Sequence, residues 1–123
     1  MTRILAIDDD MEIREMLQQL LEGAGYEVMV APDGKEALKL HHANPVNLII
    51  TDIVMPEKEG LETIMEFRSQ SPGVKIIAIS GGGKLEANDY LNLAQMLGAQ
   101  KTLSKPFELK NLLEEVRELL RQP

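Results

Sequence analysis

Cysteine is absent from the 123 residues, so the chain can form neither a disulfide nor a thiolate metal site. That absence fits a reducing compartment. Tryptophan is missing too, and the only aromatics besides histidine are Phe67, Phe107, Tyr26 and Tyr90, so any core must be aliphatic. Positive charge is in the minority: thirteen Lys and Arg face twenty Asp and Glu, a net charge of -7. Phosphate-backbone binding depends on clustered Lys and Arg, and this balance argues against a nucleic-acid surface. No apolar run approaches the roughly 20 residues of a membrane span, and the first residues do not form a signal peptide. The expectation is a cytoplasmic protein with no membrane partner. A chain of this length reads as one domain over 1–123, able to bury about two-thirds of its unfolded surface.

Extended and helical patterns alternate along it. Residues 4–7 are a short apolar run ended by acids. Asp10 can cap the helix that follows, in which Ile13, Leu17, Leu20 and Leu21 recur at helical spacing before Gly23 and Gly25. Residues 26–31 look extended, and "PDGKEALKLHH" turns into a second helix that Asn44-Pro45 ends. The run 48–50 leads into Asp52. A third helix places Leu61, Ile64 and Met65 on one face, "SPG" turns, and 74–79 is another buried-strand run. A fourth helix is expected over 90–97, a short strand over 101–103, and a last helix over 109–120 with Leu109, Leu112, Leu113, Val116 and Leu120 in register. Five βα units imply a parallel sheet covered on both faces, with its site at the carboxyl ends of the strands.

At those ends stand Asp8, Asp9 and Asp10 after the first strand, Asp52 after the third, Ser80 after the fourth, and Lys105 after the fifth. Carboxylates about 4 Å apart repel by roughly 1 kcal/mol in water and about 4 at a near-surface dielectric. A hard divalent cation offsets that repulsion, and Mg²⁺ favours oxygen ligands, typically one or two carboxylates with waters and a phosphate. An ionised Asp beside it can act as a nucleophile toward phosphorus. A lysine and a hydroxyl facing the phosphoryl oxygens complete the charge neutralisation that such transfer needs.

"ILAIDDD", "LIITDIVMPEKEG", "IIAISG" and "LSKPF", in this order, resemble the receiver domain of two-component response regulators of the chemotaxis-regulator kind. The resemblance covers essentially the whole chain. It implies a flavodoxin-like α/β/α sandwich, with a five-stranded parallel sheet of order 2-1-3-4-5 and five helices. It implies that Asp52 accepts a phosphoryl group from a sensor histidine kinase or a histidine phosphotransfer protein. Asp9, Asp52 and the backbone carbonyl of Val54 would hold Mg²⁺, with Asp8 on a metal-bound water or on the metal itself, while Ser80 and Lys105 follow the phosphoryl group. The output would be a switch read by a downstream protein effector, with no output domain in these residues and no enzymatic turnover beyond the domain's own phosphorylation and dephosphorylation.

Three positions depart from the family pattern. Thr102 stands where the family usually has Tyr or Phe, the segment from Ser80 to Gly98-Ala99 is slightly long, and Val54 and Gly82 occupy positions that influence loss of the phosphoryl group. The alternative function is a Mg²⁺-dependent phosphatase or phosphotransferase with an aspartyl nucleophile, but enzymes of the haloacid-dehalogenase type place D-x-D after the first strand. "SGGGK" fails the P-loop pattern, with Ala78 and Leu85 at its ends. Three plainer expectations complete the reading. His41 and His42 occupy a favourable helix C-terminus, the internal methionines fill the core, and Glu114, Glu115 and Glu118 form a solvated face.

Overall fold

The computed structural model describes residues 2–53, 59–80, 92, 94–95, 98–104 and 107–121. Five strands run β1 (Arg3–Ile7), β2 (Glu27–Ala31), β3 (Leu48–Asp52), β4 (Lys75–Ser80) and β5 (Lys101–Ser104). Between and after them lie α1 (Met11–Gly23), α2 (Gly34–Ala43), α3 (Glu59–Gln70) and α4 (Leu109–Arg121). The sheet is wholly parallel with order β2-β1-β3-β4-β5, as expected. The further helix expected over 90–97 falls largely outside the described residues, although Asn92, Ala94 and Gln95 have helical backbone.

Local chemistry sets the helix ends. Asp10 Oδ1 accepts from the Glu12 N–H at 2.9 Å, and Asp33 Oδ1 accepts from the Glu36 N–H at 2.8 Å, so each satisfies a backbone donor that the helix leaves open. After α1 the chain reverses through Gly25, whose φ of 97° favours glycine.

Alternation along each strand sends side chains to two separate cores. Leu5, Ile7, Ile49, Ile76 and Ala78 pack on one face with Ala37, Ile64 and Phe67 from α2 and α3. Ile4, Ala6, Leu48, Ile50, Ile77 and Ile79 pack on the other with Leu17, Leu21, Leu112, Val116 and Leu119 from α1 and α4. Every residue of β3 is buried, as expected for the central strand of a covered sheet.

Several side chains differ from their sequence patterns. Met11, Met65 and Leu109 are exposed (61%, 52% and 40%), so two methionines are not core filler and Phe67, not Met65, completes the inner face of α3. Glu115 and Glu118 are not merely solvated, because both pair with Lys101 of β5, at 3.3 and 3.2 Å. His41 lies in the last turn of α2 but is buried there. Its Nδ1 accepts from the Val46 N–H at 3.1 Å, and its Nε2 lies 2.7 Å from Ser71 Oγ. Burial, reinforced by the charge of His42, lowers its pKa. It therefore serves as a neutral clip across the α2–β3 turn, and not as a cation at a helix end.

Candidate phosphoryl-acceptor site

Register brings the chemistry together. Ile7 pairs with Thr51, so Asp8 continues β1 at the level of Asp52 on β3. Asp52 pairs with Ile79, and Ser80 follows one step beyond, paired in turn with Ser104 of β5. The rim therefore carries acids at its centre and hydroxyls beside them.

Carboxylate oxygens of Asp8, Asp9 and Asp52 all lie within 4.8 Å of one another. Asp8 and Asp52 are buried, at 2% and 6% exposure, whereas Asp9 faces solvent. Unit charges at that separation repel by about 3 kcal/mol per pair at a near-surface dielectric. The donor set is entirely hard oxygen. Ligands of an octahedral Mg²⁺ stand about 2.9 Å apart when adjacent and about 4.2 Å apart when opposite, so the three carboxylates would turn inward to share one ion. The acidic pocket can hold a divalent metal.

Asp8 is held firmly. Its N–H donates to Ala31 O at 3.2 Å, its Oδ1 accepts from the Asp10 N–H at 2.9 Å, and its carbonyl accepts from Arg14 Nη1 at 2.7 Å. Asp10 itself caps α1, as expected, and is not one of the clustered acids. Ser80 is completely buried, and its Oγ has no hydrogen-bond partner among the described residues. A buried hydroxyl without a partner is costly, which suits a group whose partner arrives with a ligand.

The backbone carbonyl of Val54, Lys105 and Gly82 lie outside the described residues. Thr102 is half-buried on β5 and pairs in register with Ala78. Arg14 was not singled out by the sequence pattern. The available signal was its place on the second turn of α1, six residues after the strand-end Asp8 and within reach of the rim.

A parallel sheet of this order, with an acidic pocket at its carboxyl edge, defines the class of CheY-like receiver folds. The sequence matches the response regulator receiver domain family over residues 4–117. It is 36% identical over 120 residues to the response regulator receiver protein CpdR of Brucella abortus, covering 98% of both chains. It is 38% identical over 122 residues to the transcriptional regulatory protein CpxR of Klebsiella pneumoniae, covering 99% of this chain and 50% of that one. It thus spans about half the length of several curated relatives that it matches. Among solved structures, a CheY-like receiver domain protein from Methanospirillum hungatei superposes with a TM-score of 0.87 at 34% identity, covering 98% of this chain and 94% of that one. The chemotaxis protein CheY4 of Vibrio cholerae superposes with a TM-score of 0.84 at 33% identity, covering 97% and 98%.

The chain belongs to the response regulator receiver domain family. It is a receiver domain of two-component phosphorelay signalling, a class whose members interact with kinases and effectors. Among the described residues, no helix is long and apolar enough to cross a membrane.

Proposed function

We propose that Asp52 is the phosphoryl acceptor of this receiver, with a phosphohistidine on a sensor kinase or phosphotransfer protein as donor. The observation that carries this reading is the convergence of the Asp8, Asp9 and Asp52 carboxylates within 4.8 Å, one register step from a buried Ser80 hydroxyl that has no partner among the described residues.

A carboxylate oxygen of Asp52 attacks phosphorus as the bond to the imidazole nitrogen breaks, and the negative charge spreads over the phosphoryl oxygens. Asp8, Asp9, Asp52 and the Val54 carbonyl would hold Mg²⁺, which would supply charge neutralisation to the acids and the incoming group. Ser80 Oγ–H donates to one phosphoryl oxygen and the Lys105 ammonium pairs with another.

The receiver domain catalyses no turnover beyond its own phosphorylation and dephosphorylation, in the cytoplasm. Modification shifts an equilibrium between two conformations, read by a downstream protein effector at the face formed by β5 and α4. With Thr102 in place of an aromatic, the β5 side chain is not the usual rotamer switch, and Thr102→Tyr is expected to alter partner coupling more than Mg²⁺ affinity. Intact-protein mass after incubation with acetyl phosphate tests the reading. A single phosphoryl adduct should form on the wild type with Mg²⁺ and be missing without Mg²⁺ and in Asp52→Asn. An equal adduct in all three would overturn it.

A further inference from the structure

Three of the contacts that hold Asp8 are not equivalent. Two use backbone partners, the Ala31 carbonyl and the Asp10 N–H. The third comes from a side chain: Arg14 Nη1 donates to the Asp8 carbonyl at 2.7 Å. That carbonyl belongs to the peptide unit joining Asp8 to Asp9, two members of the acidic triad. A peptide unit is planar. Fixing its oxygen therefore sets ψ of Asp8 and φ of Asp9 together, and with them the directions in which both carboxylates leave the chain. The bond also supplies a donor to a carbonyl that precedes α1 and lies outside the helical ladder.

We infer that Arg14 is a positioning residue for the metal site, acting through the Asp8–Asp9 peptide. This rests on the reading of the triad as a Mg²⁺ site. Octahedral Mg²⁺ tolerates little angular error in its ligands, so a loosened peptide weakens binding even though all three carboxylates remain. The guanidinium has a second, opposing effect, since a positive charge near the triad repels a cation. Arg14 is half-buried and its Nη1 lies 2.7 Å from the Asp8 carbonyl, well inside a Debye length, so salt screens that repulsion only in part. Positioning is inferred to be the larger effect, because octahedral coordination depends on ligand direction.

The test is calorimetric titration of the full chain with MgCl₂ at physiological ionic strength, for wild type, Arg14→Met and Arg14→Lys. Losing a group that orients a metal ligand lowers affinity by about 10- to 100-fold, and Arg14→Met is expected at the lower end of that range. The site uses one N–H donor and not a bidentate fork, so Arg14→Lys should recover affinity to within about threefold of wild type. Urea unfolding without Mg²⁺ checks that each variant is folded.

Wild-type affinity in a folded Arg14→Met would overturn the inference, and tighter binding would do so as well, by showing that the guanidinium acts only as a counter-charge. Equal loss in both variants would remove the hydrogen bond as the cause and overturn it too. A wild type that takes up no Mg²⁺ would instead bring down the reading of the triad, and the role of Arg14 with it.

Discussion

Arg68, near the end of α3, donates through Nη2 to the carbonyl oxygen of Gly98 at 2.7 Å, tying that helix to the crossover between β4 and β5. The same guanidinium donates to Pro72 O at 2.6 Å, Val74 O at 2.8 Å and Gln100 Oε1 at 3.2 Å. Gln100 Oε1 in turn accepts from the Ile76 N–H at 2.8 Å, so one side chain anchors the entry to β4 and the entry to β5. Burial lowers the Arg68 pKa, but the group stays charged at any physiological pH. The clamp sits at the end of the sheet opposite the acids, holding the scaffold while the rim carries the chemistry.

Arg68→Met keeps the stem and loses all four hydrogen bonds. It is expected to lower unfolding free energy by about 2–4 kcal/mol, because bonds from a charged donor are stronger than neutral ones and several carbonyls are left unpaired. Gly98→Ala should also destabilise, by about 1–3 kcal/mol. Its φ of 128° suits glycine, and a Cβ there would stand 2.7 Å from Arg68 Nε. Urea denaturation of both single variants and the pair checks this. Additivity in the double variant would show that the two residues do not act together.

His41 makes the chain sensitive to mild acid. Its folded pKa lies below the ordinary 6.5, mainly through burial, so the folded state favours the neutral ring. The associated stability is complete above about pH 6.5 and is lost as pH falls from there toward the folded pKa, because the unfolded chain takes up the proton first. Protonation would also place a donor against the Val46 N–H that Nδ1 now accepts. Urea midpoints are expected to fall between about pH 7 and about pH 5. His41→Asn keeps an acceptor without titrating there and should flatten that trend.

Gly34 begins α2 where it crosses α3, and a Cβ at this position would collide with the Thr63 side chain. Gly34→Ala is expected to destabilise by about 1–3 kcal/mol through overpacking. Adding Thr63→Ala should restore part of the loss. A neutral Gly34→Ala, measured by chemical denaturation, would show that the two helices separate easily.

Ser80→Ala separates a structural hydroxyl from one awaiting a ligand. The Oγ is buried without a partner among the described residues, so its removal should leave the unmodified domain unchanged or more stable by up to about 1 kcal/mol. The stabilisation conferred by beryllofluoride, a phosphoryl mimic, should shrink in the variant. Thermal unfolding with and without the mimic reads both effects.

Strand-end acids, the order of elements and the cap at Asp10 were legible because each rests on local pattern: apolar runs, a terminating charge, a side chain that competes for the first helical N–H groups. Side chains whose roles depend on distant partners were not. His41 reads as a helix-end cation until Val46 and Ser71 fold against it. Glu115 and Glu118 read as solvated until β5 brings Lys101 beside them. Met65 and Phe67 each fit an apolar stripe on α3, and only packing against the sheet shows which one faces inward. Arg14 escaped for the same reason, since an arginine early in a helix carries no signal until its carbonyl partner is known.

The central claim is that Asp52 receives the phosphoryl group, and the most direct measurement is chemical mapping of the modified residue. Borohydride reduces an aspartyl phosphate to homoserine, which marks its position in a peptide mass map. After treatment with acetyl phosphate and Mg²⁺, conversion is expected at Asp52 and none at Asp8, Asp9 or Asp10. Conversion at one of those three, with Asp52 intact, would contradict it.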